Sequence, residues 1–257
     1  MKLQGLIAIV TGAASGIGEA CCRHLLECGA AGVGALDMNE DRGAELRDEL
    51  GDKFLFARTD VADVGAVDAA VRATHERFGA VHAVINSAGI TLPAKLLGRK
   101  GPIAMEKFDT IMKVNLYGTL HAIRAAVPLM AGNAPNEDGE RGVIVNFSSG
   151  AAYEGQVGQI GYSASKAAVI GMTMPLMREL AEYGIRVTAI APGGVDTPIY
   201  ETVPPEVKES LLKYALFPKR FGKPSECALF VEEIIRNPMH NGRAYRFDSG
   251  MILPPGI

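Results

Sequence analysis

The sequence predicts an α/β fold: a doubly wound, seven-stranded parallel sheet with helices on both faces. Three observations carry this. Short apolar runs alternate with helical patterns almost from end to end, which asks for parallel strands joined by right-handed crossovers. The runs are apolar at consecutive positions, as strands covered on both faces are. The first run leads straight into a glycine-rich turn, TGAASGIG at 11–18, that opens a helix.

In chain order, strands are expected at 6–10, 33–36, 54–57, 81–86, 143–147, 186–190 and 244–247. Each is a short run, mostly of Val, Ile, Leu or Phe, bounded by Gly, Asp or Asn. Helical patterns fill 16–28, 39–50, 64–78, 106–130, 160–182 and 224–236. No Pro/Ser-rich linker and no repeat divides the chain, so residues 1–257 read as one domain. A barrel of eight strand–helix units is the main competitor in this size range. Only seven strands are legible, and the placement of the glycines decides against it.

Composition removes several classes of function. The chain has 257 residues, 48% of them hydrophobic, with a net charge of −3. That balance builds a sizeable core and gives no electrostatic footprint for nucleic acid. No window offers the ~18 apolar residues of a membrane span. The first twelve residues read as a strand and turn rather than a targeting signal, so a cytoplasmic location is expected. Cys21, Cys22 and Cys28 crowd one helix near His24, and Cys227 stands apart. With no second ligand cluster in the sequence, reduced core thiols are expected and no metal site.

The turn after the first strand places Gly12, Gly16 and Gly18 where a backbone must bend tightly and approach a pyrophosphate. Ser15 and Ile17 lie within it, and the helix beyond presents its N-terminal N–H groups to the phosphates. Asp37 ends the second strand, 19 residues past Gly18, at the register where a carboxylate accepts from an adenosine ribose. It would repel a 2′-phosphate, and no Arg or Lys lies nearby before Arg42, so NAD is expected rather than NADP. Asp60, with Val61 beside it, follows the third strand. It reads either as a partner of the adenine or as the cap of the next helix. Asn86, Ser87, Ala88 and Gly89 end the fourth strand and leave room on the adenosine side. Asn86 reads equally as a pin between strands.

Ser149 follows the fifth strand. Tyr162 comes thirteen residues later, and Lys166 four after that on the same helix face. A phenol is a poor acid–base group near neutral pH unless a neighbouring cation lowers its pKa. Lys166 is expected to do that, while Ser149 holds a substrate oxygen. Each residue alone is unremarkable as a cap or surface side chain. Their combination behind a nucleotide-binding turn is what points to chemistry.

TGAASGIG, NSAG, VNLYGT, PGGVDTP and the Ser149–Tyr162–Lys166 set together resemble the short-chain dehydrogenase/reductase family, over essentially the whole chain. The resemblance implies a single Rossmann domain, 1–257, and oxidoreductase activity. It implies that Asn115 helps hold a water extending the proton relay from Lys166. It also implies that Pro192, Val195 and Thr197 lie at the nicotinamide end. Ser87 stands where the family usually has a second Asn. Longer segments, EGQVGQIGYSASKAAVIGMTMPLMREL and FPKRFGKPSE, resemble the 3-hydroxyacyl-CoA dehydrogenase branch. That resemblance implies NAD-dependent interconversion of (3S)-3-hydroxyacyl-CoA and 3-ketoacyl-CoA, with hydroxysteroids as side substrates. The alternatives are an NADPH-dependent 3-oxoacyl reductase and a non-catalytic nucleotide-binding scaffold.

A lid over the substrate is expected at about 193–221, hinged at Gly193–Gly194 and stiffened by Pro204–Pro205. Gln156 is expected to face the substrate. Lys95, Arg99 and Lys100 read as a solvated basic loop, with CoA phosphates as a further possible partner. Helices 106–130 and 160–182 are apolar around much of their circumference, so a second subunit is expected against them. The family resemblance implies a homotetramer.

Overall fold

The computed structural model describes residues 1–99, 101–198 and 205–256. Seven strands form one sheet: β1 (Ile7–Thr11), β2 (Gly32–Asp37), β3 (Phe54–Arg58), β4 (Ala83–Asn86), β5 (Gly142–Phe147), β6 (Ile185–Pro192) and β7 (Ala244–Phe247). Their order is β3-β2-β1-β4-β5-β6-β7 and every pair is parallel. The order reverses between β1 and β4, and a ligand crevice is expected at the carboxyl ends of strands on either side of such a reversal.

The helices are α1 (Gly16–Glu27), α2 (Glu40–Leu50), α3 (Val64–Phe78), α4 (Met105–Met112), α5 (Gly118–Ala131), α6 (Ile160–Leu180), α7 (Pro205–Leu212) and α8 (Pro224–Arg236). Capping residues explain several boundaries. Asn39 accepts from the Arg42 N–H at 3.1 Å to start α2. Asp63 accepts from Gly65 and Ala66 to start α3, and Gly79 at φ +84° ends it. Pro224 opens α8, where the Glu226 carboxylate accepts from the Lys223 N–H at 2.7 Å.

Alternation along the buried strands splits the core in two. Ala8 and Val10 of β1 face a cluster with Cys21, Leu25, Val231 and Ile234 of α1 and α8. Ile9 faces the opposite cluster with Val67, Val71, Ala122 and Ala126 of α3 and α5. Each fully buried Val, Leu or Ile contributes roughly 1.5–3 kcal/mol.

Three expectations change. The helix expected at 106–130 is two α-helical pieces joined by a π-helical turn, Lys113–Tyr117. The extra residue in that turn accompanies the buried Asn115, whose side chain bonds a neighbouring segment rather than solvent. The long loop after β4 contains a small hairpin, Leu97–Gly98 with Gly101–Pro102. The expected irregular lid contains α7, because Pro205 is suited to a first helical turn and EVKESLL continues it. Residues 199–204, including Pro204, and Lys100 lie outside the described residues.

One buried ion pair ties the sheet to α8. Arg186 of β6 donates to the Glu140 carboxylate at 2.7 Å and to the carbonyls of Ile234, Ile235, Asn237 and His240. A guanidinium here neutralises the negative end of α8 and satisfies carbonyls that the helix leaves unpaired.

Candidate active site

The phosphate turn has the geometry its glycines suggested. Gly12 and Gly16 adopt φ of +66° and +52°, which residues with a Cβ rarely hold. A Cβ on Gly18 would sit 2.0 Å from the Gly12 carbonyl oxygen, so α1 could not pack against the turn. Ser15 makes no side-chain capping hydrogen bond to α1. The positive helix end is therefore uncapped by protein, as a phosphate site requires. Thr197 closes the turn from the far side: its methyl would lie 3.1 Å from a Cβ on Gly16. The cradle fits a dinucleotide pyrophosphate.

At the end of β2, Asp37 accepts from the Ala14 N–H at 3.0 Å and from the Asn39 N–H at 2.9 Å, one bond to each oxygen. This fixes the carboxylate beside the glycine turn. Arg42, the first cation after it, is held elsewhere. Its guanidinium donates to Glu19 at 2.6 Å, Glu45 at 2.7 Å and Glu49 at 3.2 Å. Of the two readings of Asp60, the helix cap falls to Asp63, and Asp60 instead accepts from the Ala62 N–H at 2.9 Å. Val61 is buried against Gly118, and its carbonyl bonds the His121 ring at 2.9 Å.

The carboxyl ends of β1, β4 and β5 are laced together. The Thr11 hydroxyl accepts from the N–H groups of Ser87 and Ala88. A Cβ on Gly12 would meet the Ala88 backbone at 2.8 Å, so these strands approach as closely as a bare backbone allows. Asn86 donates to the Asn146 side chain at 2.8 Å, the pin between strands that was one reading of Asn86.

Ser149, at the end of β5, is extended, and its hydroxyl accepts from the Ala151 N–H at 3.1 Å. Tyr162 and Lys166 sit one turn apart on α6, with the Lys166 Nζ 6.0 Å from the centre of the Tyr162 ring. Lys166 is buried and donates to the Phe147 carbonyl at 2.9 Å. The helix backbone is fixed at the same level, because Ser148 donates to the Lys166 carbonyl at 2.8 Å. Asn115 accepts from the Ile90 N–H at 2.8 Å and donates to both the Ile90 carbonyl and the Ser165 hydroxyl. Lys166 Nζ and Asn115 Oδ1 lie 3.2 and 3.4 Å from a Cβ placed on Gly89, so only glycine leaves both in place.

Electrostatics differ from expectation at Tyr162. Burial pushes the phenol up, and the hydrogen bond with Ser149 opposes this. Burial and Ser149, rather than Lys166, set the direction at the phenol, and burial also lowers the pKa of Lys166 itself to about 8. The unfolded chain, with an ordinary lysine, therefore binds more protons than the fold above pH 8. This group's contribution to stability should thus rise between about pH 8 and 10.5. The buried thiols of Cys21, Cys22 and Cys227 lose stability over the same range, so the lysine's contribution is read by difference: chemical denaturation should show the stability of the native chain relative to Lys166→Met rising from about pH 8 to 10.5.

One cleft gathers Ile17, Ser87, Gly89, Ser149, Gln156, Tyr162 and Lys166 with Pro192, Val195 and Thr197. Asp37 and Asp60 do not line this cleft; they lie at and just after the carboxyl ends of β2 and β3. Gln156 lines the cleft, but its amide donates to the Pro254 carbonyl at 3.2 Å. Gly193 and Gly194 are close-packing positions rather than an open hinge: added Cβ atoms would strike Asp248 at 2.7 Å and the Phe221 ring at 2.3 Å. Leu211 of α7 reaches the cleft, which puts part of the 193–221 segment over it.

Sequence reading missed the wall opposite. Leu253 lines the cleft, and its N–H donates to Glu154 at 2.9 Å. Arg246 bonds Glu154 at 2.6 Å, Asp248 at 2.5 Å and the Met251 carbonyl at 2.8 Å. The two Glu154 contacts join residues 92 and 99 apart, and no local motif signals them.

Known proteins share this arrangement. The short chain dehydrogenase family model matches residues 6–208. The 3-hydroxyacyl-CoA dehydrogenase type-2 of Drosophila melanogaster is 41% identical over 98% of this chain and 100% of its own. The crystal structure of 3-hydroxyacyl-CoA dehydrogenase type-2 from Mycobacterium avium superposes with a TM-score of 0.92 at 35% identity, covering 99% of both chains. The 3-ketoacyl-(acyl-carrier-protein) reductase from Brucella melitensis, complexed with NADH, gives 0.86 at 30% identity, covering 98% of this chain and 100% of that one. No helix among the described residues is long and apolar enough to cross a membrane. A glycine cradle at the sheet's reversal point, beside a Ser–Tyr–Lys cleft, is thus found in a chain that belongs to the short-chain dehydrogenase/reductase family of oxidoreductases.

Proposed function

We propose that this chain is an NAD-dependent dehydrogenase that interconverts (3S)-3-hydroxyacyl-CoA and 3-ketoacyl-CoA, with hydroxysteroids as side substrates. The observation that carries the reading is the phenol of Tyr162, sharing a cleft beside the nucleotide cradle with Ser149 and one helical turn from a buried lysine. The names of the Drosophila and Mycobacterium relatives support the substrate class.

Each side chain has a role in the oxidation. Ser149 holds the substrate hydroxyl oxygen against Tyr162. Tyr162 takes the hydroxyl proton at its phenol oxygen as the carbonyl forms, and returns it in the reverse direction. The charge of Lys166, little screened in its buried site, favours the phenolate and grips ribose hydroxyls. Asn115 positions this proton path, and Gln156 with Leu253 shapes the acyl side. When bound, the nicotinamide supplies the acceptor for the hydrogen leaving carbon with its electron pair. Asp37 would hold the adenosine ribose, while Gly12, Ser15, Gly16, Ile17 and Gly18 take the pyrophosphate. Asp60, Val61, Asn86, Ser87, Ala88 and Gly89 line the adenosine side, and Pro192, Val195 and Thr197 the nicotinamide end.

The ribose reading favours NAD over NADP on two counts. The Asp37 carboxylate, fixed beside the glycine turn, would face the 2′ position, and Arg42 is committed to three glutamates. In Asp37→Ala, the preference for NAD should fall by about tenfold, the equivalent of roughly 1.4 kcal/mol. Steady-state kinetics with both cofactors measures it, and an unchanged ratio rejects the ribose role. For the substrate, a panel of 3-hydroxyacyl-CoAs, acetoacetyl-CoA in reverse, steroid alcohols and short secondary alcohols is decisive. Turnover confined to the simple alcohols rejects the acyl-CoA reading.

We further propose a homotetramer. On α6, Ala164, Ala167, Gly171 and Met174 form an exposed small and apolar stripe, with exposed Leu120 and Tyr117 on and beside α5. The chain's own described residues leave it uncovered, and a second copy supplies the cover. Sedimentation showing a monomer at micromolar concentration rejects this. The four free cysteines suit a reducing compartment such as the cytoplasm.

A further inference from the structure

The structure brings a third ligand to the His24–Cys28 pair that the sequence could not reveal. His24 and Cys28 are one turn apart at the end of α1, and α8 packs against α1 so that Glu232 meets both. The separations are 2.5 Å from His24 Nε2 to Glu232 Oε2, 3.6 Å from Cys28 Sγ to His24 Nε2, and 3.8 Å from Cys28 Sγ to Glu232 Oε2. All three side chains are partly buried.

We propose that His24, Cys28 and Glu232 form a binding site for a divalent transition-metal ion of the zinc type, clasping α1 to α8. Zinc–sulfur bonds of about 2.3 Å and zinc–nitrogen or –oxygen bonds of about 2.0–2.2 Å, held tetrahedrally, place sulfur ~3.6 Å from the other two ligands. The two sulfur separations already have this value. The remaining pair must open from its present hydrogen bond to ~3.3 Å, a side-chain rotation only. One thiolate, one imidazole and one carboxylate are ligands that zinc takes together, with water in the fourth position.

The outer shell is in place. Arg236 donates to the other Glu232 oxygen, Oε1, at 2.7 Å, which orients Oε2 toward His24 and Cys28. Burial and the Glu232 charge push the Cys28 thiol up, so without a cation this sulfur keeps its proton. A bound ion would replace that thiol proton, which leaves to solvent, and would take the place of the hydrogen bond between His24 and Glu232. The buried thiols of Cys21, Cys22 and Cys227 do not join the cluster.

Cobalt(II), the spectroscopic stand-in for zinc, tests this on the full chain in a non-chelating reductant. The expected result is a thiolate-to-cobalt absorption band that saturates at one equivalent and is bleached by zinc. Cys28→Ser should abolish the band, and His24→Gln and Glu232→Gln should each weaken cobalt binding at least tenfold. Cys227→Ser should leave it unchanged. Zinc should raise the melting temperature of the native chain and not that of Cys28→Ser. NAD-linked turnover, which none of these side chains touches, reports that each variant is folded. No band in the native chain overturns the proposal, as does a band that survives Cys28→Ser. Unweakened binding in both His24→Gln and Glu232→Gln does so too.

Discussion

Tyr162→Phe is expected to lower turnover by ~10²–10⁴-fold, the range for loss of a positioned acid–base group. The change removes one oxygen and keeps the ring, so the cleft retains its shape. NAD affinity should stay close to native, because the cradle of Gly12, Gly16 and Gly18 and the Asp37 carboxylate are untouched. Ser149 would still hold the substrate oxygen, but nothing adjacent would take its proton. Lys166 cannot substitute from its position, since its ammonium is directed at the Phe147 carbonyl. Single-turnover kinetics together with fluorescence titration of the nucleotide separates the two effects. Turnover near the native rate removes Tyr162 from the reaction, and a parallel loss of nucleotide binding assigns it a structural role instead.

Arg186→Leu should give the largest loss of stability, about 3–5 kcal/mol, because it breaks a buried ion pair from one side and strands the carbonyls that the guanidinium serves. Glu140 is buried and also accepts from the Met1 ammonium, while four carbonyls near the end of α8 lose their donor. Glu140→Leu alone should be similarly damaging. The double variant should cost less than the sum of the two, since each single change strands the other group. Urea unfolding of the four proteins measures the coupling. Additive losses would show that the pair acts as two independent contacts.

Much of this architecture is local and so was legible. The seven strands announce themselves as apolar runs, each found within a few residues of its expected ends. Gly12 and Gly18 sit where a Cβ would clash and Gly16 where φ is positive, requirements suggested by spacing alone. Tyr162 and Lys166 needed only helical periodicity. What escaped is what depends on distant partners. Arg186 reads as one polar residue in a strand until Glu140 and the end of α8 are brought to it. Leu253 became a wall of the cleft through Glu154, 99 residues earlier. Asp60 and Asp63 are equally good caps by composition, and only the backbone path chose the second. The phenol of Tyr162 was expected to feel a nearby cation most, yet burial is the largest influence on it and pushes it up.

The clamp on Arg42 bears on how such a protein could change its cofactor over generations. Removing Asp37 would lift the repulsion toward a 2′-phosphate but would supply nothing to attract one. The first cation along the chain after it, Arg42, is already engaged by Glu19, Glu45 and Glu49, from two different helices. Arg58, paired with Asp37 across the sheet, is exposed and meets only Glu40, at 3.8 Å. On the proposed ribose role, a lineage moving to the phosphorylated dinucleotide would have to lose the carboxylate and turn one of these two guanidiniums toward the site. The glutamates around Arg42 leave Arg58 as the side chain more readily recruited.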